Sequence, residues 1–406
     1  MASAPQRCRG IARGRAVTRR GWCPSLATPM PAADGLLVRV RPVFGRIDAG
    51  AARQVAAAAA AHGNGLIDLT QRGNLQFRGF DLGSAASFAA IVGGLGVDQP
   101  VGTPGLMVSP LLGVDPAAAP EAGALAGEIA AVVAGMTGLE GPAEKFSVSF
   151  DAGGVIGLGS VGADIAIRTA AIGTAAIGTA AIGAAATGWV VDDEVCSAGD
   201  LVAVVRRRLE ACAPALRAGR RPERMGMARA ARVPPLGFVA YAADRGAFGL
   251  GLVFGAMNAD LLRLLADLAA SFGDGVLRFT PWRAVVIAGV TQAAATRLAD
   301  VAAAEGMIVA GPDWRFGVQA CVGAPFCAAA GRATRADALA LGDTGRGVHV
   351  SGCAKGCAHP GPAEVTLVGR DGRYDLVRNG RAGDTPVRRG LDLAAVRAEL
   401  MMKVPA

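Results

Sequence analysis

Lysine, histidine and aromatic residues are scarce in this sequence, and their scarcity excludes several kinds of protein. Only three lysines stand among 41 basic residues, three histidines occur, and aromatic residues make up 5% of the chain. Nucleic-acid-binding proteins usually combine clustered basic residues with aromatic side chains that stack on bases, so a net charge of +8 predicts no nucleic-acid partner here. The arginine-rich composition favours a small polyanionic ligand, because the planar guanidinium binds carboxylate and phosphate groups bidentately.

The chain also lacks any long run of leucine and phenylalanine. The stretch 169–191 is long enough to span a bilayer, but it is mostly alanine, glycine and threonine. The arginines among the first 23 residues precede no apolar core of the kind that a secretory signal has. Eight cysteines without such a signal are typical of thiols that stay reduced. We therefore predict a cytoplasmic protein with no membrane partner and with a disordered tail over residues 1–18.

Two internal repeats organise the chain. The pentapeptide Thr-Ala-Ala-Ile-Gly occurs three times in 169–183, and the low-complexity insertion 169–188 that contains it is predicted to be an expanded surface loop. A longer repeat has a constant offset of 210 residues: Val43-Phe44-Gly45 recurs as Val253-Phe254-Gly255, and Thr70 recurs as Thr280. Such a constant offset indicates two related halves.

Each half has the pattern of a strand, a Phe-Gly turn, a helix and a further strand. The helices are predicted at about 48–62 and 258–271. A longer segment of mixed helix and strand pattern follows each half, with helices at 122–136 and 391–402. These patterns predict an α+β fold with pseudo-twofold symmetry and a ligand bound between the halves.

Four cysteines near the C-terminus have the spacing of a metal site. Cys321 and Cys327 form a C-x5-C pair, and Cys353 and Cys357 form a C-x3-C pair. Soft thiolates select iron–sulfur clusters or zinc over hard cations. Structural zinc usually takes tighter pairs than C-x5-C, so the spacing favours a cluster, with zinc and unrelated core cysteines as alternatives.

The same segment contains three ionisable side chains of interest. His349 is expected in the core or on a sheet face, whereas His359 is a candidate proton or iron partner. His359 and Lys355 are the candidate catalytic residues. No G-x-G-x-x-G motif opens a βαβ unit, so the sequence predicts no nicotinamide site.

Polar side chains alternate in the stretch 72–78. On a strand, Arg72, Asn74, Gln76 and Arg78 would share one face. The stretch contains no acid that could neutralise its arginines, so we interpret it as a polycarboxylate-binding face, with a solvated edge strand as the alternative. Further candidate arginines, each with a simple surface charge as its alternative, are Arg39, Arg41 and Arg283.

These motifs resemble the nitrite/sulfite reductase superfamily, through Thr70-x-Arg72-x-x-x-Gln76-x-Arg78-Gly79, Lys145-Phe146 and the four cysteines. Within it the chain is most similar to the precorrin-3B synthase family of the aerobic cobalamin pathway. The segments that carry this similarity are 20–30, 34–39, 109–115, 280–283 and 349–360.

The resemblance implies two duplicated ferredoxin-like half-domains and two mixed α/β modules. The half-domains would occupy 19–101 and 233–300, and the modules 102–232 and 301–406. The second module would carry a [4Fe–4S] cluster on Cys321, Cys327, Cys353 and Cys357. A tetrapyrrole would lie at the pseudo-twofold interface.

The function implied by the resemblance is a monooxygenase. It would use O₂ to hydroxylate precorrin-3A at C20 and would close a lactone, with NADH or a separate electron-transfer partner as reductant. A non-haem iron is implied as well, without ligands that the sequence indicates. The side chains expected to clamp the substrate carboxylates are Arg39, Arg41, Arg72, Arg78, Lys145 and Arg283, with Asn74 and Gln76 assisting.

Departures from the reductase pattern weaken the alternative of sulfite or nitrite reduction. Lys145-Phe-Ser147 stands where reductases have Lys-x-Lys, Cys353-Ala-Lys355 where they have Cys-Pro-Asn, and Pro104-Gly105 where many have Arg-Asn. Lost positive charge would weaken a sulfite site, so no sirohaem is expected. A sirohaem-dependent assimilatory nitrite or sulfite reductase is the first alternative. A non-catalytic zinc protein with a four-cysteine site is the other.

Overall fold

The computed structural model describes residues 23–139, 141–159, 161–170, 188–222 and 234–401. The predicted tail 1–18 and most of the insertion 169–188 lie outside these ranges. Within them the chain forms nine α-helices and four five-stranded sheets. None of these helices is long and apolar enough to cross a membrane.

The strands are β1 (Met30–Ala32), β2 (Gly35–Val40), β3 (Arg46–Asp48), β4 (Leu66–Leu69), β5 (Leu75–Phe80), β6 (Gly105–Val108), β7 (Ser147–Asp151), β8 (Ile165–Ala170), β9 (Gly188–Val191), β10 (Glu194–Cys196), β11 (Gly237–Ala240), β12 (Arg245–Gly251), β13 (Ala256–Asn258), β14 (Val276–Phe279), β15 (Ala284–Thr291), β16 (Val318–Ala320), β17 (Val348–Ser351), β18 (Ala363–Arg370), β19 (Arg373–Gly380) and β20 (Arg388–Leu391). The helices are α1 (Ala49–His62), α2 (Leu82–Gly94), α3 (Ala122–Ala134), α4 (Ala198–Arg217), α5 (Ala259–Phe272), α6 (Gln292–Ala304), α7 (Trp314–Gly317), α8 (Thr334–Leu341) and α9 (Leu393–Met401).

Two of the sheets belong to the repeated halves, and they exchange a strand. Their strand orders are β1-β2-β5-β4-β13 and β11-β12-β15-β14-β3, so β3 completes the second sheet and β13 completes the first. Helices α1 and α5 pack against each other, and one continuous hydrophobic core covers both sheets. Because each half lends a strand to the other, neither half has a complete sheet alone.

The 210-residue repeat holds at the level of strand register. Arg39 of β2 lies opposite Gln76 of β5, and Gly249 of β12 lies opposite Val286 of β15. Both members of the second pair stand 210 residues after those of the first. The predicted pseudo-twofold α+β architecture is therefore confirmed.

The phenylalanine rings of the repeated Phe-Gly turns pack each half against the module that follows it in the chain. Phe44 and Phe254 have positive φ angles of 54° and 59°, which cost non-glycine residues about 1–2 kcal/mol. Phe44 packs against the core that includes β6 to β9, and Phe254 packs in the core that includes β16 to β19. The packing of each aromatic ring compensates for the strained backbone that positions it.

The two remaining sheets form modules with the same topology. In the first, β6, β7 and β8 run parallel and β9 and β10 continue antiparallel. In the second, β16, β17 and β18 run parallel and β19 and β20 continue antiparallel. The carboxyl ends of parallel strands meet at one sheet edge, and the loops that follow β16 and β17 carry the four cysteines.

Candidate functional site

Arg39 and Gln76 are neighbours on β2 and β5 and form the first part of the candidate site. An Nη2–H of Arg39 donates to Oε1 of Gln76. Within the described part of the chain, no carboxylate lies at ion-pair distance from Arg39, and its buried Nε has no hydrogen-bond partner. No carboxylate of the described residues therefore neutralises the guanidinium of Arg39.

Arg72 and Asn74 lie in a turn, because strand β5 begins only at Leu75. The backbone N–H groups of Arg72 and Asn74 donate to Oγ1 of Thr70 at 3.3 and 3.1 Å, and Gly73 has a φ of +71°. A left-handed glycine and a threonine hydroxyl favour a turn over an extended strand. The interpretation of four side chains on one strand face is thus wrong for these two.

Arg72 is a desolvated cation without an acid beside it. Burial lowers the pKa of Arg72, the guanidinium of Arg221 lowers it further, and Asp164 raises it. Among the described residues no carboxylate is close enough to pair with Arg72. Arg221, which forms a bidentate pair with Asp164 at 2.7 Å, was not anticipated from the sequence, since nothing local marks its position.

A narrow cleft lies beside this turn. Arg72 and Asn74 line it together with residues of β6 and of the second half-domain. Its volume of about 20 Å³ exceeds the roughly 10–15 Å³ that a single water molecule needs but is far too small for a macrocycle. A macrocycle would therefore lie outside the cleft and could enter it with no more than one substituent.

Arg41 and Arg283 brace the backbone. Nη1 of Arg41 donates to the carbonyl of Thr103 at 2.9 Å, and its Nη2 donates to the carbonyl of Pro100. Nη1 and Nη2 of Arg283 donate to the carbonyls of Val318 and Phe316 at 3.3 and 3.2 Å. Both side chains fix loops that lead into the modules, and a ligand contact for either stays a prediction.

Arg78 is neutralised by an acid from outside its own stretch. Its Nε and Nη2 donate to the two carboxylate oxygens of Asp34 at 2.9 Å each. Nη2 also donates to the carbonyl of Phe326 at 2.7 Å, directly before Cys327. Arg78 thus ties the first half-domain to the cysteine loop, and the absence of acids within 72–78 was not informative for it.

A second hydrogen bond makes the same connection. Nε2 of Gln71 donates to the carbonyl of Ala358 at 2.9 Å.

Lys145 ends the 3-10 turn Gly141–Lys145, is partly buried and has no ion-pair partner among the described residues. Its ammonium group therefore remains available to an anion.

The four cysteine side chains interact electrostatically. Burial raises the pKa of Cys357, nearby Cys353, Cys321 and Cys327 raise it further, and Lys355 lowers it. Thiol groups that influence one another in this way form a set of soft donors that fits an iron–sulfur cluster or zinc.

The loops also supply polar contacts to sulfur. The backbone N–H of Gly352 donates to Sγ of Cys321 at 3.2 Å, and Oγ1 of Thr334 lies 3.6 Å from the same sulfur. Within the described ranges, however, no group of three or more Cys, His, Asp or Glu side chains is arranged to hold a metal ion. The donor chemistry fits a cluster, and the cluster itself stays a prediction.

His349 lies on the strand before the second cysteine loop and His359 lies on that loop, with their ring centroids 5.7 Å apart. His349 is fully buried on β17, and neither ring nitrogen has a partner among the described residues. Burial lowers its pKa to about 4, with a smaller contribution from His359, so the ring is neutral at pH 7. Nε2 of His359 lies 3.0 Å from the carbonyl of Pro362, and Lys355 is exposed.

Among the described residues, the polar side chains of the first half-domain have no polar counterparts at the equivalent positions of the second. The positions 210 residues after these polar side chains are occupied by buried glycine, tryptophan, alanine and valine. Those positions are Gly249, Gly251, Trp282, Ala284, Val286 and Ala288. Trp282 and Val286 pack against Ile156 and Leu158 of the first module, so the pseudo-symmetric surface is filled by a hydrophobic core.

Comparison with known proteins agrees with this duplicated architecture. A model of the nitrite/sulfite reductase ferredoxin-like half domain matches residues 29–93 and 243–304. The structure of the Mycobacterium tuberculosis NirA protein matches 84% of this chain and 74% of its own, with a TM-score of 0.61 at 19% identity. The chain therefore has the duplicated half-domain fold of the nitrite/sulfite reductases, as predicted.

A relative of similar length identifies the family within this superfamily. A Sinorhizobium protein named precorrin-3B synthase is 33% identical over 403 residues, which cover 91% of this chain and 84% of that protein. The chain belongs to the precorrin-3B synthase family. The predicted family and the prediction of an enzyme are confirmed.

Proposed function

We propose that this protein is a monooxygenase that hydroxylates precorrin-3A at C20 and closes a lactone in cobalamin biosynthesis. One atom of O₂ enters the product, and the other leaves as water with two electrons from a reductant. The family relationship supports this assignment. The observation that carries the substrate class is the presence of two arginines, the partly buried Arg39 and the desolvated Arg72, without carboxylate partners in the described part of the chain.

Arg39, Arg72 and Lys145 would bind the carboxylates of the macrocycle. Charge-assisted hydrogen bonds from guanidinium to carboxylate are roughly twice as strong as neutral ones, and the site is partly desolvated. Gln76 holds Arg39 from the adjacent strand, and Asn74 shares the turn of Arg72. Several such contacts would fix the meso carbon in one place, which is worth several kcal/mol to a reaction between two bound reactants.

A [4Fe–4S] cluster on the four cysteines would supply electrons for O₂ reduction, which no side chain can provide. The N–H group of Gly352 would stabilise negative charge on the sulfur of Cys321. Arg78 and Gln71 would hold the cysteine loops against the substrate surface. The reductant is either NADH or a separate electron-transfer partner, and we assign no ligands to a non-haem iron.

His359 and Lys355 are the candidate proton donors. Both lie on the second cysteine loop, and Lys355 is exposed beside it. His349 cannot take this role at neutral pH, because burial lowers its pKa to about 4. Replacement of His359 by glutamine would therefore slow turnover without loss of substrate binding, if His359 delivers the proton.

Anaerobic purification followed by metal, sulfide and EPR analysis tests the cofactor. About four iron and four sulfide per chain are expected for one cluster. Zinc without sulfide would support the structural zinc protein instead. A tightly bound sirohaem chromophore with sulfite or nitrite turnover would support the reductase.

Incubation with precorrin-3A, with and without O₂, tests the reaction. In the presence of reductant and O₂ the product is expected to gain one oxygen atom, and labelled O₂ should provide it. A product of unchanged mass under these conditions would refute the proposed activity.

A further inference from the structure

Positive charge is in excess where the two half-domains exchange strands. Arg46 of β3 lies opposite Arg278 of β14. Nη1 and Nη2 of Arg278 pair with Asp274 at 3.0 and 2.5 Å. Arg46 has no carboxylate at ion-pair distance among the described residues, and its Nη2 donates to the carbonyl of Leu112 at 2.5 Å. The guanidinium groups of Arg46 and Arg278 thus share one nearby carboxylate, that of Asp274.

Arg278 is buried and Arg46 is half-buried. Burial lowers the pKa of Arg46 to about 10, Arg278 lowers it as well, and Asp274 raises it. Arg278 is 3% exposed, and the Nε atoms of Arg46 and Arg278 are buried without a partner among the described residues. Buried charges in proteins are normally paired, and buried donors are normally hydrogen-bonded.

The narrow cleft opens beside these side chains. Arg72, Asn74 and Arg278 line it. Its walls include Gly45 and Gly73, where an added Cβ would lie 3.0 and 2.7 Å from the carbonyl oxygen of Phe279. The close backbone approach leaves about 20 Å³, which excludes a large group but admits a small one.

Two arginines lie opposite each other at the junction of β3 and β14 but not at the equivalent junction of β13 and β4. The positions equivalent to Arg46 and Arg278 are Ala256 and Asp68, which lie opposite each other on β13 and β4. Asp68 is paired with Arg335 there. Charge balance is therefore satisfied at the second junction and left unsatisfied at the first.

We propose that the cleft between the half-domains binds a single carboxylate group. Arg72 and Arg278 would donate to it, Asn74 would assist, and Arg46 would add positive charge from the adjacent strand. The carboxylate is either a substituent of the macrocycle, which rests on the proposed function, or a small free carboxylate. In both cases it would balance the buried charge and join the two half-domains.

Thermal unfolding of the full chain in acetate tests the carboxylate chemistry. At constant ionic strength, the unfolding temperature of the unaltered protein should rise with acetate, as mass action requires for a ligand of the folded state. Arg72→Met should weaken the apparent affinity for acetate at least tenfold, and it leaves the Arg278–Asp274 pair intact. Arg263→Met is the matched control, because Arg263 is exposed and pairs only with Asp260.

Equal acetate dependence in the Arg72→Met and Arg263→Met variants would overturn the proposal, and so would no dependence in the unaltered protein. Arg278→Met provides a second variant, with the same expected loss of affinity for acetate. If Arg278→Met does not fold, the Arg72→Met variant alone decides whether the cleft binds acetate.

Uroporphyrin, a macrocyclic polycarboxylate, distinguishes the sources of the carboxylate. If the macrocycle supplies the group, saturating uroporphyrin should abolish the effect of acetate, whereas an undiminished effect assigns the cleft to a free carboxylate. The acetate response does not involve turnover of precorrin-3A. If the unaltered protein shows no acetate response but turns over precorrin-3A, the subsite is rejected and the proposed function stands.

Discussion

Replacement of Asp34 by alanine should be among the most destabilising single changes in the first half-domain. Asp34 and Arg78 are 10% and 6% exposed and form two hydrogen bonds of 2.9 Å. Removal of one partner leaves the other charge buried and uncompensated, which costs roughly 3–5 kcal/mol. Asp34→Ala also removes the hydrogen bond that Nδ2 of Asn64 donates to Asp34. This loss adds little to the cost in stability, because Asn64 is exposed and can bind water.

The exposed pair Arg263–Asp260 is the matched control. Its side chains are 63% and 81% exposed, so Asp260→Ala should cost no more than about 1 kcal/mol. Urea unfolding of the two variants measures the free energy of unfolding in each case. Equal losses in Asp34→Ala and Asp260→Ala would refute the reasoning that burial makes the Asp34 pair costly to break.

A double variant separates the charge from the packing. Arg78→Met with Asp34→Leu removes both charges, and such replacements of buried pairs are often neutral or stabilising. The double variant is therefore expected to be more stable than Asp34→Ala alone. It also loses the bond from Arg78 to Phe326, so its iron content per chain should drop if the cysteine loop holds a cluster.

Three further predictions concern ligand binding, pH and backbone geometry. Arg72→Ala should weaken macrocycle binding about ten- to 100-fold, the loss of one charged hydrogen bond of about 1.5–3 kcal/mol, as measured by absorbance titration; unchanged affinity would remove Arg72 from the clamp. Burial raises the pKa of Asp98 to about 6, so its contribution to stability is fully present below pH 4 and is lost as the pH rises to 6. Asp98→Asn should therefore raise the free energy of unfolding at pH 7 by up to about 3 kcal/mol and leave it nearly unchanged at pH 4, since the amide oxygen can still accept from the N–H of Arg41. Gly45→Ala should lower the unfolding temperature, because Gly45 has a φ of +68° and an added Cβ would lie 3.0 Å from a backbone carbonyl; an unchanged temperature would contradict this.

Local and periodic patterns in the sequence were sufficient to predict much of the fold. The Phe-Gly turns at a constant offset revealed the duplication, and α1 and α5 begin and end within one residue of the predicted bounds. Helix periodicity and turn chemistry operate over a few residues, so they are visible without the fold. The C-x5-C and C-x3-C pairs follow strands that are adjacent and parallel, so their loops leave the same edge of the sheet, and a shared metal site on them stays a prediction.

Contacts between distant parts of the chain settled the character of the site. Arg78 is 44 residues from Asp34 and 248 from the carbonyl it binds, so its neutralisation could not be read from its own stretch. The exchange of β3 and β13 brings Arg46 beside Arg278, and no periodicity records that pairing. Residue order along the chain specifies which groups are present; packing specifies which charges are paired, which are left without a partner, and where a ligand can approach them.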